Sequence, residues 1–297
     1  MKRLNFILFT LLIAMQAYAG EYSNQLRTDS PQSGRFIAED GSSFNIADHL
    51  RMSPVEVARL HSPGAYPFGA YGLKITTGAI AKQPVADYAT LVKLPNLGVQ
   101  MSVVSSSVND SAAGTGVRTM DVHYIDRMLN PRVEIVTLNG TTPVLTAADD
   151  IIWVQDTHAL TVGTPAAPAA AGNITVSYDG SNYSGILAGN VRSESSFRMI
   201  PKGKWYFLEG AIASSISATA DTNAELYLVA SEYAENIFHD PLILMPQAAI
   251  GVQNNSVVID FTHDFRYSPG TIIGVLATAN KASTISAGLI GHVEPIE

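Results

Sequence analysis

The chain contains no cysteine. Disulfides, thiol nucleophiles and thiolate metal sites are therefore excluded, and stability outside a cell would have to come from packing or oligomerisation. Charge is also scarce. Asp, Glu, Lys and Arg make up 15% of the 297 residues, against about 25% in an average soluble domain. Cations are the scarcer sign, with 18 Lys and Arg against 26 Asp and Glu, for a formal net charge of -8. That balance does not suit a groove lined for phosphate, so nucleic acid is not expected as a partner. No run of like charge is present to capture a membrane surface. The charged helix formers are few, so Ser, Thr, Asn and Gly must build the polar surface, which suits strands and tight turns.

One long apolar run is present, at the start. Lys2 and Arg3 precede "LNFILFTLLIAM", and Ala17-Tyr18-Ala19 follows. Residues 1–19 have the pattern of a cleaved signal peptide and are too short to persist as a spanning helix. The competing reading is an apolar leader, with Met15 as an internal start. Residues 20–97 read as a mostly irregular N-terminal arm. It carries one short helix at 53–61, with Ser53 as cap, Pro54 at the first helical position and Glu56 three after the cap. That helix either docks on a neighbour or tucks under its own domain. After it, "SPGAYPFGAYG" sets Tyr66, Phe68 and Tyr71 among turn residues. Together with Trp153 and Trp205 these rings are candidates for stacking on sugars; the competing reading is hydrophobic clasps over a core edge.

From about residue 98 the chain reads as a dozen short strands at 10–15-residue spacing with no helical period between them. The expected fold is all-β: an antiparallel β-sandwich, jelly-roll-like, spanning 98–297 with a sub-boundary near 190. In "VRTMDVHYID", Met120, Val122 and Tyr124 share one face, and Asp121 and His123 the other. Asn139-Gly140 predicts a two-residue hairpin turn into "TTPVLT", and "DGSN" at 179–182 a second hairpin. "TIIGVLATA" is apolar on both faces. A strand covered on both sides needs a second contact, expected to be another subunit.

Little in the sequence points to chemistry. His49, His61, His123, His158, His239, His263 and His292 include no i, i+4 pair and no H-x-H pair, so no metal or cofactor site is read. No G-x-S-x-G elbow is present. Asp121, Glu134, Asp149 and Asp150 are the densest carboxylates. They could be drawn as a glycosidase pair, or more simply as solvent faces of strands. Asp149, Asp150 and Asp156 form a faint calcium-like set. The expectation is a protein that is not an enzyme.

The stretch "SSSVNDSAAGTGVRT", a strand ending in "YID", then "EIVTLNGTTPV", "AAGNITV" and "IPKGKWYFL" resembles, in that order, virion structural proteins of tailed bacteriophages. The resemblance covers roughly residues 60–297 and is densest at 101–145 and 170–208. Its shared residues are turn and register residues: Gly114, Gly116, Asn139, Gly140, Gly172 and Gly203. It implies a β-sandwich assembled on the particle surface, as head decoration or a fibre component. Its implied partners are copies of itself, with a homotrimer expected by analogy, and other virion proteins such as the major capsid protein. The alternative is an exported or particle-borne lectin-like module that binds cell-surface glycans. The expected location is the virion. An export-type leader sits poorly with assembly in the cytoplasm, so an exported protein is the alternative there too.

Overall fold

The computed structural model describes residues 35–37, 43–45, 65–87, 94–95, 97–164, 168–217, 223–231, 244–252 and 255–296. The leader at 1–19 and the helix read at 53–61 lie outside the described residues. The chain divides into two compact units, 1–57 and 58–297. The first holds an antiparallel pair, β1 (Arg35–Ile37) with β2 (Ser43–Asn45).

The second unit contains strands and no helix among the described residues. It opens with β3 (Tyr66–Pro67), β4 (Ala70–Ile75) and β5 (Ile80–Pro84). Seven strands follow: β6 (Ser102–Ser105), β7 (Val117–Asp126), β8 (Pro131–Thr137), β9 (Val144–Leu145), β10 (Ile151–Val162), β11 (Ile174–Tyr178) and β12 (Ser181–Ile186). The chain ends with β13 (Arg198–Met199), β14 (Lys204–Ile216), β15 (Ala224–Ser231), β16 (Leu244–Val252), β17 (Asn255–Tyr267), β18 (Ile272–Ala279) and β19 (Thr284–Pro295).

The first and last groups interleave. One antiparallel sheet runs β4-β19-β14-β17, with β3 also on β19. The other runs β5-β18-β15-β16, with β13 also on β18. Their inner faces share one core, with Tyr206, Leu208 and Leu289 from the first sheet against Leu226, Leu228 and Val275 from the second. The sandwich therefore recruits β3, β4 and β5 from the stretch that reads as an arm in the sequence.

Between β5 and β13 the chain leaves this sandwich and builds another. Its sheets run β10-β7-β8 and β12-β11-β6-β9. They enclose Met101, Met120, Val122, Trp153, Ile174 and Ile186. Alternation in β7 matches the sequence pattern, with Met120, Val122 and Tyr124 buried and Asp121 and His123 half-buried. The β11–β12 turn is also as the sequence predicts. Asp179 and Gly180 both have positive φ, 48° and 73°, as a tight primed hairpin requires.

Two expectations are corrected. Asn139-Gly140 is not a hairpin turn: β8 pairs with β7, whereas β9 crosses to the facing sheet and pairs with β6. Only Gly140 of the two has positive φ, at 60°. The second cover of "TIIGVLATA" is the same chain. Within β18, Ile273 and Val275 enter the first core, while Ile272 and Leu276 enter the inserted core. Gly274 makes room at this junction, because a Cβ there would stand 2.3 Å from the Phe197 ring. The inserted lobe is also hydrogen-bonded to β13. The Gln155 amide bonds the backbone N–H and carbonyl of Met199, and Arg198 Nη1 donates to the Gln155 carbonyl at 2.7 Å.

Candidate functional site

Most of the turn residues carried by the sequence resemblance gather around one side chain that sequence reading did not single out. Asp110 is completely buried. Its Oδ1 accepts the N–H groups of Val117 at 2.8 Å and Ala171 at 2.9 Å; its Oδ2 accepts Gly172 N–H at 2.9 Å and the Ser105 hydroxyl at 2.6 Å. Its backbone carbonyl accepts Gly140 N–H, and the Gly140 carbonyl in turn accepts Ser105 N–H. Asn139 bridges Ser111, and the Gly114 carbonyl accepts Arg118 Nε. Gly116 must be glycine, since a Cβ would sit 2.1 Å from Asp110 Oδ1. "SSSVNDSAAGTGVRT" and "AAGNITV" are thus two halves of one carboxylate-centred knot. Gly203 lies elsewhere, in the turn before β14, with φ 72°. This arrangement ties the two sheets of the inserted lobe together.

The β4-β19-β14-β17 sheet presents a different kind of site. Its inner face is core and its outer face is uncovered among the described residues. Cross-strand partners share a side of a sheet. The pairings align Tyr71, Gly288, Ile212 and Val258 in one row across four strands. Ile75 and Ile216 flank Thr284, and Ile290 lies opposite Gly210. Tyr71, Ile75, Ile212, Ile216, Val258 and Ile290 are between 39% and 67% exposed. The row between them holds Leu73, Ser286, Ser214 and Ser256, with the Ser214 and Ser286 hydroxyls 2.6 Å apart. The three rows of Val258, Ser256 and Thr284 hold no charged residue, and the next row, of Ile290 and Gly210, ends on Asp260 of β17. Towards Trp205 the same face becomes polar. His292 sits between Glu209 and Glu294 with Phe207 stacked on its ring at 5.2 Å, and the Arg266 guanidinium lies 4.5 Å over Trp205.

The aromatic candidates disperse. Trp153 is 2% exposed and belongs to the inserted core, so it has no face free for a sugar; this corrects its place in the stacking set. Phe68 is half-buried, edge-on to Tyr206 at 5.4 Å. Tyr66 carries the Lys204 ammonium at 5.2 Å from its ring, and burial pushes its hydroxyl up. Tyr66 pairs with Val293, a core residue, and Trp205 with the neighbouring Glu294, so the two rings take opposite sides of the sheet. An open groove of about 590 Å³ lies elsewhere, between Gln100, Leu145, Asp149, Tyr178 and Asp179.

The carboxylates are mostly committed to local bonds. Glu134 accepts the N–H groups of Ala147 and Ala148. Asp156 accepts the Ser193 hydroxyl and Thr157 N–H and pairs with Arg198, and it forms no metal-type cluster with Asp149 and Asp150. For Asp126 burial acts upward, but the Asn130 N–H and amide, Arg132 and the Met128 N–H outweigh it and hold the carboxyl low. Asp87 behaves in the opposite way. Burial pushes it up to about 7 despite the Gly185 N–H that it accepts. Linear spacing also hid one juxtaposition. The β7–β10 register places His158 opposite Asp121, two residues from His123, so these three side chains meet across two strands.

No family model matches the chain, and no curated protein does. Among solved structures, a chain from the atomic structure of Sulfolobus turreted icosahedral virus is similar at 10% identity. The match covers 75% of this chain and 90% of that one, with a TM-score of 0.22. A chain from infectious bursal disease virus, Gt strain, is similar at 10% identity over 77% of this chain and 71% of that one, with a TM-score of 0.20. Another, from the T13 particle of the same virus, is 8% identical over 78% and 72%, with a TM-score of 0.18. Likeness at these scores carries no argument about shared function.

Proposed function

We propose that this chain is a virion structural protein that assembles with copies of itself through the outer face of the β4-β19-β14-β17 sheet. The uncharged face carries the reading. Six large apolar side chains are exposed there within four successive rows, whereas single exposed apolar residues are the rule on monomers. Interface cores are depleted of charge and ringed by polar groups, and this face changes to charged groups at its Trp205 end. With a net charge of -8, copies repel one another, and an uncharged seam is where they approach at least electrostatic cost.

Strand order supports the same reading. We read the eight strands in the orders β4-β19-β14-β17 and β5-β18-β15-β16 as the double Greek key of a jelly roll, an architecture found in viral capsid and lectin domains. On this reading the inserted lobe is a projection carried on the jelly roll, in the connection between β5 and β14. The step from fold to function is analogy. The sequence resemblance adds the finer expectations: a tailed-bacteriophage particle, a homotrimer, a place beside the major capsid protein, and no catalytic role.

Mass spectrometry of purified particles tests the reading. The chain should be present in many copies per particle, and its absence from particles would remove the proposal. A glycan-binding role is the second reading, favoured by the 590 Å³ groove with its exposed Tyr178 beside Gln100, Asp149 and Asp179. It predicts a glycan-array signal that Tyr178→Ala abolishes.

A further inference from the structure

We infer that Asp121, His123 and His158 form a binding site for a first-row divalent metal ion of the zinc class. The placement follows from strand geometry. Asp121 and His123 alternate onto the same side of β7, and the register brings His158 of β10 directly opposite Asp121. His123 Nε2 lies 3.1 Å from Asp121 Oδ2, and His158 Nδ1 lies 3.0 Å from Asp121 Oδ1. One donor atom from each of the three residues falls within 4.8 Å of the others. Donors bound tetrahedrally at zinc distances stand about 3.4 Å apart, so the two spacings to Asp121 need only small adjustment and the two imidazole nitrogens would close from within 4.8 Å.

The imidazoles are set as ligands are. The two rings meet edge to face with centroids 5.2 Å apart, and each turns a ring nitrogen to Asp121. A histidine on a metal usually gives its other ring N–H to a carboxylate. His158 Nε2 lies 3.4 Å from Asp156 Oδ2, and Asp156 is itself held by Ser193, Thr157 N–H and Arg198. His158 thus has one carboxylate to share the ion and a second to orient its ring. The donor set of two imidazoles and one carboxylate suits zinc, cobalt or nickel, not calcium or magnesium, which take oxygen ligands. The His123 and His158 side chains are 39% and 38% exposed, so a fourth position opens to water. Three protein ligands with an open position is the arrangement of reactive zinc, and the site stands on the inserted lobe, away from the sheet face proposed for assembly.

Untagged full-length protein, stripped with chelator and titrated with Zn²⁺ by calorimetry and with Co²⁺ by visible absorption, tests the site. One equivalent should bind. His123→Ala and His158→Ala should each weaken binding at least tenfold, with circular dichroism unchanged, and Asp156→Asn should weaken it by roughly 10–100-fold as a loss of orientation. Ca²⁺ should not compete. Absence of uptake, or uptake unchanged in both histidine variants, would overturn the assignment. His123 is the safer test of folding, since His158 also pairs with Asp156.

Discussion

Asp110→Ala is the substitution that separates a structural knot from a decorative loop. The side chain is completely buried and accepts three backbone N–H groups and one hydroxyl. Removing it leaves four donors facing a small void, three of them buried and the Ala171 N–H part-buried. Each unmet donor costs about 1–3 kcal/mol, and water entering the space recovers part of that. Burying the carboxylate also carries a desolvation cost, which the substitution relieves. The net loss should be about 3–5 kcal/mol, the range for breaking a buried charged network. A unit of the size of residues 58–297, unfolding as one, loses roughly 2–4 °C of Tm per kcal/mol, so Tm should fall by about 10 °C. Thermal unfolding followed by near-ultraviolet circular dichroism measures this. Hydrogen exchange should show protection lost first at the amides of Val117, Ala171 and Gly172. A Tm within about 2 °C of the parent, with those amides still protected, would mean that the hydrogen bonds do not hold the two sheets together.

Other outcomes follow from the lobe junction and the two perturbed carboxyls. Gly274→Ala pushes a methyl group into the buried Phe197 ring and should cost about 1–3 kcal/mol in denaturant unfolding, with partial recovery when Phe197→Leu is added. Asp87 keeps its proton in the fold up to about pH 7, whereas the unfolded chain loses it near 4. Its contribution therefore declines as pH rises across that window, by up to about 4 kcal/mol, and Asp87→Asn should melt increasingly above the parent from pH 4 to pH 7. Parallel melting curves would refute this. Asp126 has the opposite sign. Its depressed carboxyl stabilises the fold above the unfolded value near 4, and the contribution is lost as pH falls through the folded value, so Asp126→Asn should lose most of its deficit in acid.

Local structure was legible in the sequence where one strand or one turn decides it. Alternation placed Met120, Val122 and Tyr124 inside, and "DGSN" gave a primed turn because Asp179 and Gly180 both tolerate positive φ. Partnership between strands was not legible, because pairing is decided by residues far apart in the chain. Asn139-Gly140 has hairpin chemistry, yet Gly140 is bonded to Asp110 and Ser105, and the chain crosses to another sheet. The doubly apolar β18 signalled a second contact but not its source, since a lobe of the same chain buries a strand face as well as a subunit does. Asp110 left no sign, because an Asp within a Ser- and Gly-rich loop reads as a solvated turn. The meeting of Asp121, His123 and His158 depends on the β7–β10 register, which spacing along the chain does not encode.

Sedimentation velocity on the purified chain, alone and with Ile216→Glu and Val258→Glu combined, tests self-assembly most directly. Both positions are among the most exposed on the uncharged face, so the monomer's Tm should hardly change. Burying such side chains contributes roughly 1–2 kcal/mol each, and a buried unpaired carboxylate costs more, so association should weaken at least 100-fold. The parent should sediment as an oligomer at micromolar concentration and the variant as a folded monomer. A parent that stays monomeric, or a variant that associates as strongly as the parent, would contradict the assignment of this sheet face as the assembly surface.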